Sequence, residues 1–164
     1  MSYLSIIQGE LDTIAQGNKK ILERIPGDKL TWKPHEKSMT LGRLGQHIAE
    51  LPHWLERITA ADHFDFVLDG YKPPVPPASV EEILKLWEEK YTVAKKALAA
   101  AGNVDLEERW EMRRDGHIIA GMPRRVAYGT QLQHIVHHRG QLTVYLRLLD
   151  VPIPGFFGPS ADER

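Results

Sequence analysis

The chain has 164 residues and a formal net charge of -1, so its size predicts a single domain over residues 1–164 and its balanced charge excludes a general attraction to nucleic acid. It contains no cysteine, which excludes a disulfide framework, a thiolate zinc site and a cysteine nucleophile and leaves histidine and carboxylate as the metal ligands. No apolar run reaches the roughly 20 residues that cross a bilayer, and the N-terminus lacks a signal-peptide pattern, so we expect a cytoplasmic protein without a membrane partner.

Two helices are predicted in the first third of the chain. Apolar residues recur three and four positions apart over residues 2–25, and Pro26 ends this pattern. A second apolar seam runs over residues 41–60, after Ser38 and Thr40, either of which can cap a helix. Pro52 lies inside the second helix and is expected to kink it, because proline lacks the backbone donor.

The remaining elements follow a proline-rich segment at residues 70–79, which contains four prolines and predicts an extended crossover. A third helix is expected from the capping residue Ser79 to Gly102. The pair Asp115-Gly116 predicts a short β-hairpin between residues 106 and 121. A fourth helix then runs from about Pro123 to residue 149. We therefore predict an all-α fold, a four-helix bundle with one long crossover and a short hairpin before the last helix.

Histidine is the residue type that most needs an explanation. The chain has eight histidines, and three of them fall within five residues, at His134, His137 and His138. At about 100° per residue, His134 and His138 lie one turn apart on the same side of the last helix, next to its core-facing arc. Two imidazoles at this spacing can converge on one ion. His137 points about 60° away from His134 and about 100° away from His138, so it is a poor third ligand.

His47 is the best candidate for a third ligand, because it lies between Leu44 and Leu51 on the bundle-facing seam of the second helix. Three histidines on two core-facing surfaces favour a metal site, although hydrogen-bonded core histidines are the alternative. Glu50 and His53 lie close to His47, but only this one pair has the Glu-x-x-His spacing, so a di-iron carboxylate site is not supported. The other histidines are expected on the surface: His35, His63 and His117.

The sequence also resembles the DinB/YfiT-like family of metalloenzymes. The resemblance lies in residues 30–34 (LTWKP), 38–48 (SMTLGRLGQHI), 134–142 (HIVHHRGQL) and 158–162 (GPSAD). It implies a four-helix bundle of unusual connectivity, often dimeric, in which His47, His134 and His138 hold a divalent ion. Nickel, zinc, iron and manganese all suit three imidazoles with open positions for water. A homodimer acting on a small molecule is therefore expected, without a nucleic-acid partner.

The predicted site residues are compatible with three functions. A metal-bound water can attack an amide or ester, with Glu50, His137 or Tyr145 as the proton carrier. The family resemblance alone implies an alternative, a transferase or isomerase that uses a low-molecular-weight thiol. The third is a bundle that binds metal or a small ligand without turnover. An enzyme would need an open, partly apolar pocket beside the ion.

Arg139 falls within the apolar arc of the last helix, where a guanidinium needs a partner. We expect a structural partner in the C-terminal tail, where Asp162 and Glu163 offer carboxylates.

Overall fold

Helices dominate the computed structural model, which describes residues 2–163. Within those residues, no helix is both long and apolar enough to cross a membrane. The elements in chain order are α1 (Tyr3–Leu22), α2 (Leu41–Glu50), α3 (His53–Ala60), β1 (His63–Asp65), α4 (Val80–Ala100), β2 (Arg109–Arg114), β3 (His117–Pro123) and α5 (Arg124–Leu148). Two short 3-10 turns lie at Gly27–Lys29 and Ala161–Glu163.

Side-chain caps fix where two of the helices begin, as the sequence predicts. The Thr40 hydroxyl accepts a hydrogen bond from the backbone amide of Arg43 at 3.2 Å and opens α2. The Ser79 hydroxyl accepts one from the amide of Glu82 at 3.2 Å and opens α4. Each cap satisfies one of the backbone donors that the first turn of a helix leaves without a partner.

Pro52 divides the predicted second helix into α2 and α3 instead of only kinking it. The carbonyl of Leu51 accepts hydrogen bonds from the Trp54 amide at 3.1 Å and from Gln131 Nε2 at 2.9 Å. The side chain of Gln131 on α5 thus satisfies a carbonyl at the break, where the helical ladder is interrupted. Both α2 and α3 pack against α4 and α5, so together they fill one position of a four-helix bundle with α1, α4 and α5.

The sheet has three strands, in the order β1-β2-β3. The predicted hairpin is confirmed: β2 and β3 pair antiparallel, and Asp115 and Gly116 have the φ values of 51° and 77° that such a tight turn requires. The all-α prediction is incomplete, because β1 pairs in parallel with β2 and was not predicted. His63 therefore begins a strand and does not lie in a loop. Three residues are too few to show the alternating pattern by which strands are predicted.

Asp65 explains how so short a strand is held. Its buried carboxylate accepts hydrogen bonds from the backbone amides of Val67, Leu68 and Asp115 at 2.8–3.0 Å and from that of Gly116 at 2.7 Å. Burial raises the pKa of Asp65, but these four hydrogen bonds outweigh it and lower the pKa to about 2. One carboxylate thus joins the end of β1 to the turn of the hairpin.

Two apolar clusters fill the interior. The first joins α1, α3, the end of α4, the sheet and the first half of α5 around Leu11, Leu55 and Tyr128. The second joins α2, α4 and the last half of α5 around Trp87 and other buried residues. Tyr91 of α4 packs against both clusters.

Arg139 has a partner in the C-terminal tail, as predicted, but the partner is an aromatic ring and not the carboxylate of Asp162 or Glu163. Its guanidinium carbon lies 4.5 Å from the ring centroid of Phe156. Asp162 instead pairs with Arg147 at 2.6 Å, and Glu163 accepts hydrogen bonds from backbone amides of the tail. The buried cation is therefore covered by an aromatic face, which attracts it without forming a salt bridge.

Candidate metal centre

Three histidines from two helices meet at one point of the bundle. His47 comes from α2, and His134 and His138 come from successive turns of α5. Their potential ligand nitrogens all lie within 4.8 Å of one another. The ring centroid of His47 is 4.5 Å from that of His138 and 5.4 Å from that of His134.

The spacing of the two α5 imidazoles suits a shared ion. His134 Nε2 and His138 Nε2 are 2.9 Å apart. Two nitrogens bound to one ion through bonds of about 2.1 Å are separated by about 3.0 Å in octahedral geometry and by about 3.4 Å in tetrahedral geometry. Two neutral acceptor nitrogens at this distance repel each other unless a proton or a cation lies between them. The donor set therefore fits a divalent first-row metal ion, and these three histidines could hold one.

Gln141 orients His138 within the cluster. Gln141 Oε1 accepts a hydrogen bond from His138 Nδ1 at 2.7 Å, which places the proton on Nδ1 and leaves the Nε2 lone pair facing His134. The Gln141 amide nitrogen donates to His137 Nε2 at 3.1 Å. His137 itself is exposed, and its ring meets that of His138 edge to face with the centroids 5.0 Å apart, so it flanks the cluster from outside.

The environment keeps two of these histidines neutral. Burial, together with the neighbouring His138 and His47, lowers the pKa of His134 to about 4. Burial also lowers the pKa of His138, although the hydrogen bond with Gln141 opposes this shift. Both imidazoles are therefore uncharged near neutral pH, and the neutral form is the one that binds metal.

Glu50 lies one turn after His47 on α2. Its Oε2 atom is 3.8 Å from His47 Nδ1 and accepts a hydrogen bond from Arg43 Nη1 at 3.1 Å. The carboxylate is thus held beside a candidate ligand by a fixed cation.

A pocket of about 430 Å³ adjoins the cluster, and its lining includes His47, His134 and Glu50. The walls are mostly apolar and include five aromatic side chains from α3, the sheet region and the crossover: Trp54, Phe64, Phe66, Tyr71 and Trp110. Trp54 meets Phe64 and Trp110 edge to face, with ring centroids 5.2 Å and 6.4 Å apart. The histidine cluster therefore borders a cavity of small-molecule size with apolar walls.

Of the three residues that the sequence offers for proton transfer, the structure places one at the pocket. Glu50 lies on the pocket wall, whereas His137 and Tyr145 are not part of its lining. The Tyr145 hydroxyl donates to the Met39 carbonyl at 3.3 Å, and its ring packs edge to face on Trp32.

The remaining histidines lie apart from the cluster. His35 and His117 are exposed, as expected from the sequence. His63 is half-buried in β1 and its Nδ1 lies 2.6 Å from the Asp62 carboxylate. His53 lines the pocket on α3 and accepts a hydrogen bond from Arg57 Nε at 3.0 Å.

Sequence reasoning missed the cationic residues that line the pocket. Arg57 of α3 and Lys72 of the crossover both belong to it. The spacing of Arg57 four residues after His53 was the available local signal for one of them. No local signal shows where the crossover packs, because tertiary contacts hold it, such as the hydrogen bond from Gln46 Nε2 to the Val75 carbonyl at 2.7 Å.

Comparison with known proteins places these observations in a family. The DinB family model matches residues 10–163. The chain belongs to the DinB family. Its relatives include the uncharacterized protein YrdA of Bacillus subtilis (strain 168), which is 26% identical over 149 residues, covering 91% of this chain and 84% of that protein.

Solved structures of DinB-like proteins share the fold of this family member. The Bacillus subtilis protein YjoA superposes with a TM-score of 0.72 at 17% identity, covering 92% of this chain and 96% of that one. A DinB-like protein from Bacillus cereus ATCC 10987 superposes with a TM-score of 0.69 at 22% identity, covering 91% and 94% of the two chains.

Proposed function

We propose that this DinB-family chain is a metal-dependent enzyme of the hydrolase type, with a divalent ion held by His47, His134 and His138. The observation that carries the proposal is the convergence of three imidazoles beside a pocket of about 430 Å³. When bound, a divalent ion on three neutral ligands supplies Lewis-acid chemistry that activates water. Nickel, zinc, iron and manganese all suit this donor set.

The pocket supports catalysis over metal storage or a purely structural metal. A structural site is closed and has about four ligands, whereas a catalytic site has about three and leaves room for a reactant. Here two of the three candidate ligands, His47 and His134, line a cavity with apolar walls. The cavity supplies the space that a substrate needs and that a structural site lacks.

Glu50 is the residue to which we assign proton transfer. It lies on the wall of the same pocket, and Arg43 fixes its carboxylate at 3.1 Å. A carboxylate in this place can take a proton from a nucleophile in the pocket and return it to a leaving group.

Assays on the metal-loaded chain test the proposal directly. The full chain, loaded in turn with each of the four metals, is offered aryl esters and amides with and without glutathione or cysteine. Hydrolysis without added thiol, lost in His134→Ala, is the expected result. Turnover that requires the thiol would overturn the hydrolase in favour of the transferase or isomerase. Full metal loading without turnover of either kind would favour the non-catalytic alternative.

We further propose that the chain acts in the cytoplasm as a homodimer of single-domain subunits. Tyr91 packs against both apolar clusters, which supports one folding unit. Light scattering should give a mass of twice 18.7 kDa, and unfolding should occur in one transition. A monomer mass or two separate transitions would contradict these proposals.

A further inference from the structure

The aromatic pocket is lined by three cationic side chains, from α3, the crossover and α4: Arg57, Lys72 and Lys90. Lys90 Nζ lies 2.9 Å from the carboxylate of Glu89, which offsets its charge. Arg57 and Lys72 have no ion-pair partner within residues 2–163. The pocket therefore presents positive charge that the described part of the chain does not neutralise.

The carboxylate on the pocket wall does not reverse this sign. Glu50 is already paired with Arg43 at 3.1 Å. A cationic ligand would have to compete with Arg43 for Glu50 and would be repelled by Arg57 and Lys72. An anionic ligand meets the opposite situation, so the charges select a negative group.

Arg57 is the cation that the structure holds in a fixed orientation. Its guanidinium carbon lies 4.1 Å from the ring centroid of Phe64, and its Nε donates to His53 Nε2 at 3.0 Å. Within residues 2–163, its terminal nitrogens Nη1 and Nη2 form no hydrogen bond to the chain. These two nitrogens form a planar fork, which matches the two oxygens of a carboxylate.

We propose that the substrate of this site is a carboxylate with an apolar body of about the size of one aromatic ring and a short chain. Arg57 binds the carboxylate, Trp54, Phe64 and Trp110 contact the body, and the reacting group lies toward His47 and His134. The inference rests on the proposed function, because it identifies a substrate for the same site. The cavity of about 430 Å³ falls within the range of small-molecule pockets, about 300–1,000 Å³.

Matched probes measure the contribution of the carboxylate. The metal-free full chain is titrated with 4-phenylbutyrate and with its neutral isostere 4-phenylbutanamide, by calorimetry and by tryptophan fluorescence, since Trp54 and Trp110 line the pocket. We expect the carboxylate to bind about tenfold or more tightly than the amide, the effect of a charge-assisted pair of hydrogen bonds. Working without metal removes coordination of the carboxylate by an ion as a cause.

Variants then assign the preference to one residue. Arg57→Met should abolish the preference, whereas Arg24→Met, which removes the same charge from an exposed position outside the pocket, should keep it. If Arg57→Met does not fold, Arg57→Lys serves instead. Lysine retains the charge without the planar fork, so the ratio of the affinities for the carboxylate and the amide should decrease.

Equal affinity of the wild type for the two probes, or no binding of either, would overturn the proposal. A preference that persists in Arg57→Met, or that is as large in Arg57→Lys as in the wild type, would also overturn it. A metal titration of the same preparation reports separately on the proposed function. A chain that binds no metal but prefers the carboxylate through Arg57 would contradict the metal centre and leave the anion site standing.

Discussion

Gln141 is the residue through which the candidate metal site can be weakened without removing a ligand. Its Oε1 accepts from His138 Nδ1 at 2.7 Å and so sets which nitrogen faces the cluster. We expect Gln141→Leu to lower the affinity for zinc by about 10–100-fold, the usual effect of removing a group that orients a histidine ligand. Because Gln141 is exposed, the fold should be unaffected.

A competitive zinc titration measures this effect, with Gln133→Leu as the matched control. Gln133 is an exposed glutamine of the same helix and does not line the pocket. Unchanged zinc affinity in Gln141→Leu would show that Gln141 does not orient His138 for metal binding.

A substitution at Glu50 should impair catalysis without affecting metal binding. Glu50→Gln keeps the size of the side chain and removes its ability to accept a proton, so we expect the turnover of the metal-loaded chain to fall about 100-fold or more. The metal content should stay at the wild-type level. Glu56→Gln on α3, outside the pocket lining, is the control. Wild-type turnover in Glu50→Gln would remove Glu50 as the proton carrier.

Among single residues, the sequence predicts those members of the site whose position follows from the spacing of residues on a helix. His134 and His138 meet because residues four apart on a helix share a face, and His47 faces them because it lies on an apolar seam. Arg57 and Lys72 meet in one pocket only because the crossover packs beside α3. No sequence periodicity encodes how the crossover packs, so these two cationic residues of the pocket could not be predicted.

Among the elements, the close packing of α2 depends on the absence of a side chain at Gly45. A Cβ atom there would lie 2.7 Å from Ile25 Cδ1 and 3.3 Å from Ile83 Cδ1, and both isoleucines are buried. We expect Gly45→Ala to lower the free energy of unfolding by about 1–2 kcal/mol, because the core has to move to accept the methyl group.

Gly9→Ala in α1 is the matched control, since a Cβ atom there meets nothing within 4 Å. It should raise the free energy of unfolding by about 0.5–1 kcal/mol through helix propensity alone. Urea unfolding measures both variants. If Gly45→Ala stabilises the chain as much as Gly9→Ala does, α2 does not pack as tightly as described.

The length of an element decides whether its sequence pattern is sufficient to predict it. The long helices α1, α4 and α5 repeat their apolar positions over 20 or more residues, which is enough for the period to be recognised. Strand β1 has three residues and depends on the Asp65 carboxylate, a residue type that is rare in strands. The all-α prediction failed at this strand because a tertiary hydrogen-bond network, not a local preference, forms it.

For the molecule as a whole, two carboxylates make folding sensitive to acid. Hydrogen bonds from Arg147 and from the Ile153 amide lower the pKa of Asp162 to about 2, and backbone amides outweigh burial to lower that of Asp65 to about 2. Both values lie below the ordinary 3.8 of an aspartate. The unfolded chain therefore takes up protons first, so these groups stabilise the fold above about pH 4 and lose that contribution as the pH falls toward 2.

Urea unfolding between pH 2 and 4 tests whether stability falls with pH and whether Asp65 contributes to that fall. Asp65→Asn should reduce the number of protons taken up on unfolding by about one, seen as a shallower dependence of the free energy of unfolding on pH. Asp28→Asn, an exposed carboxylate beside Lys29, is the control and should leave the slope unchanged. An equally steep slope in Asp65→Asn would contradict the assignment.

The metal content of the full chain, purified without a metal-affinity tag, decides whether the histidine cluster is a metal centre. Elemental analysis should find close to one equivalent of a divalent metal per chain. His47→Ala and His134→Ala should lose it, while His35→Ala, at an exposed histidine that is not one of the three clustered ones, should retain it. A wild-type chain that carries no stoichiometric metal and gains none from nickel, zinc, iron or manganese would contradict the metal centre.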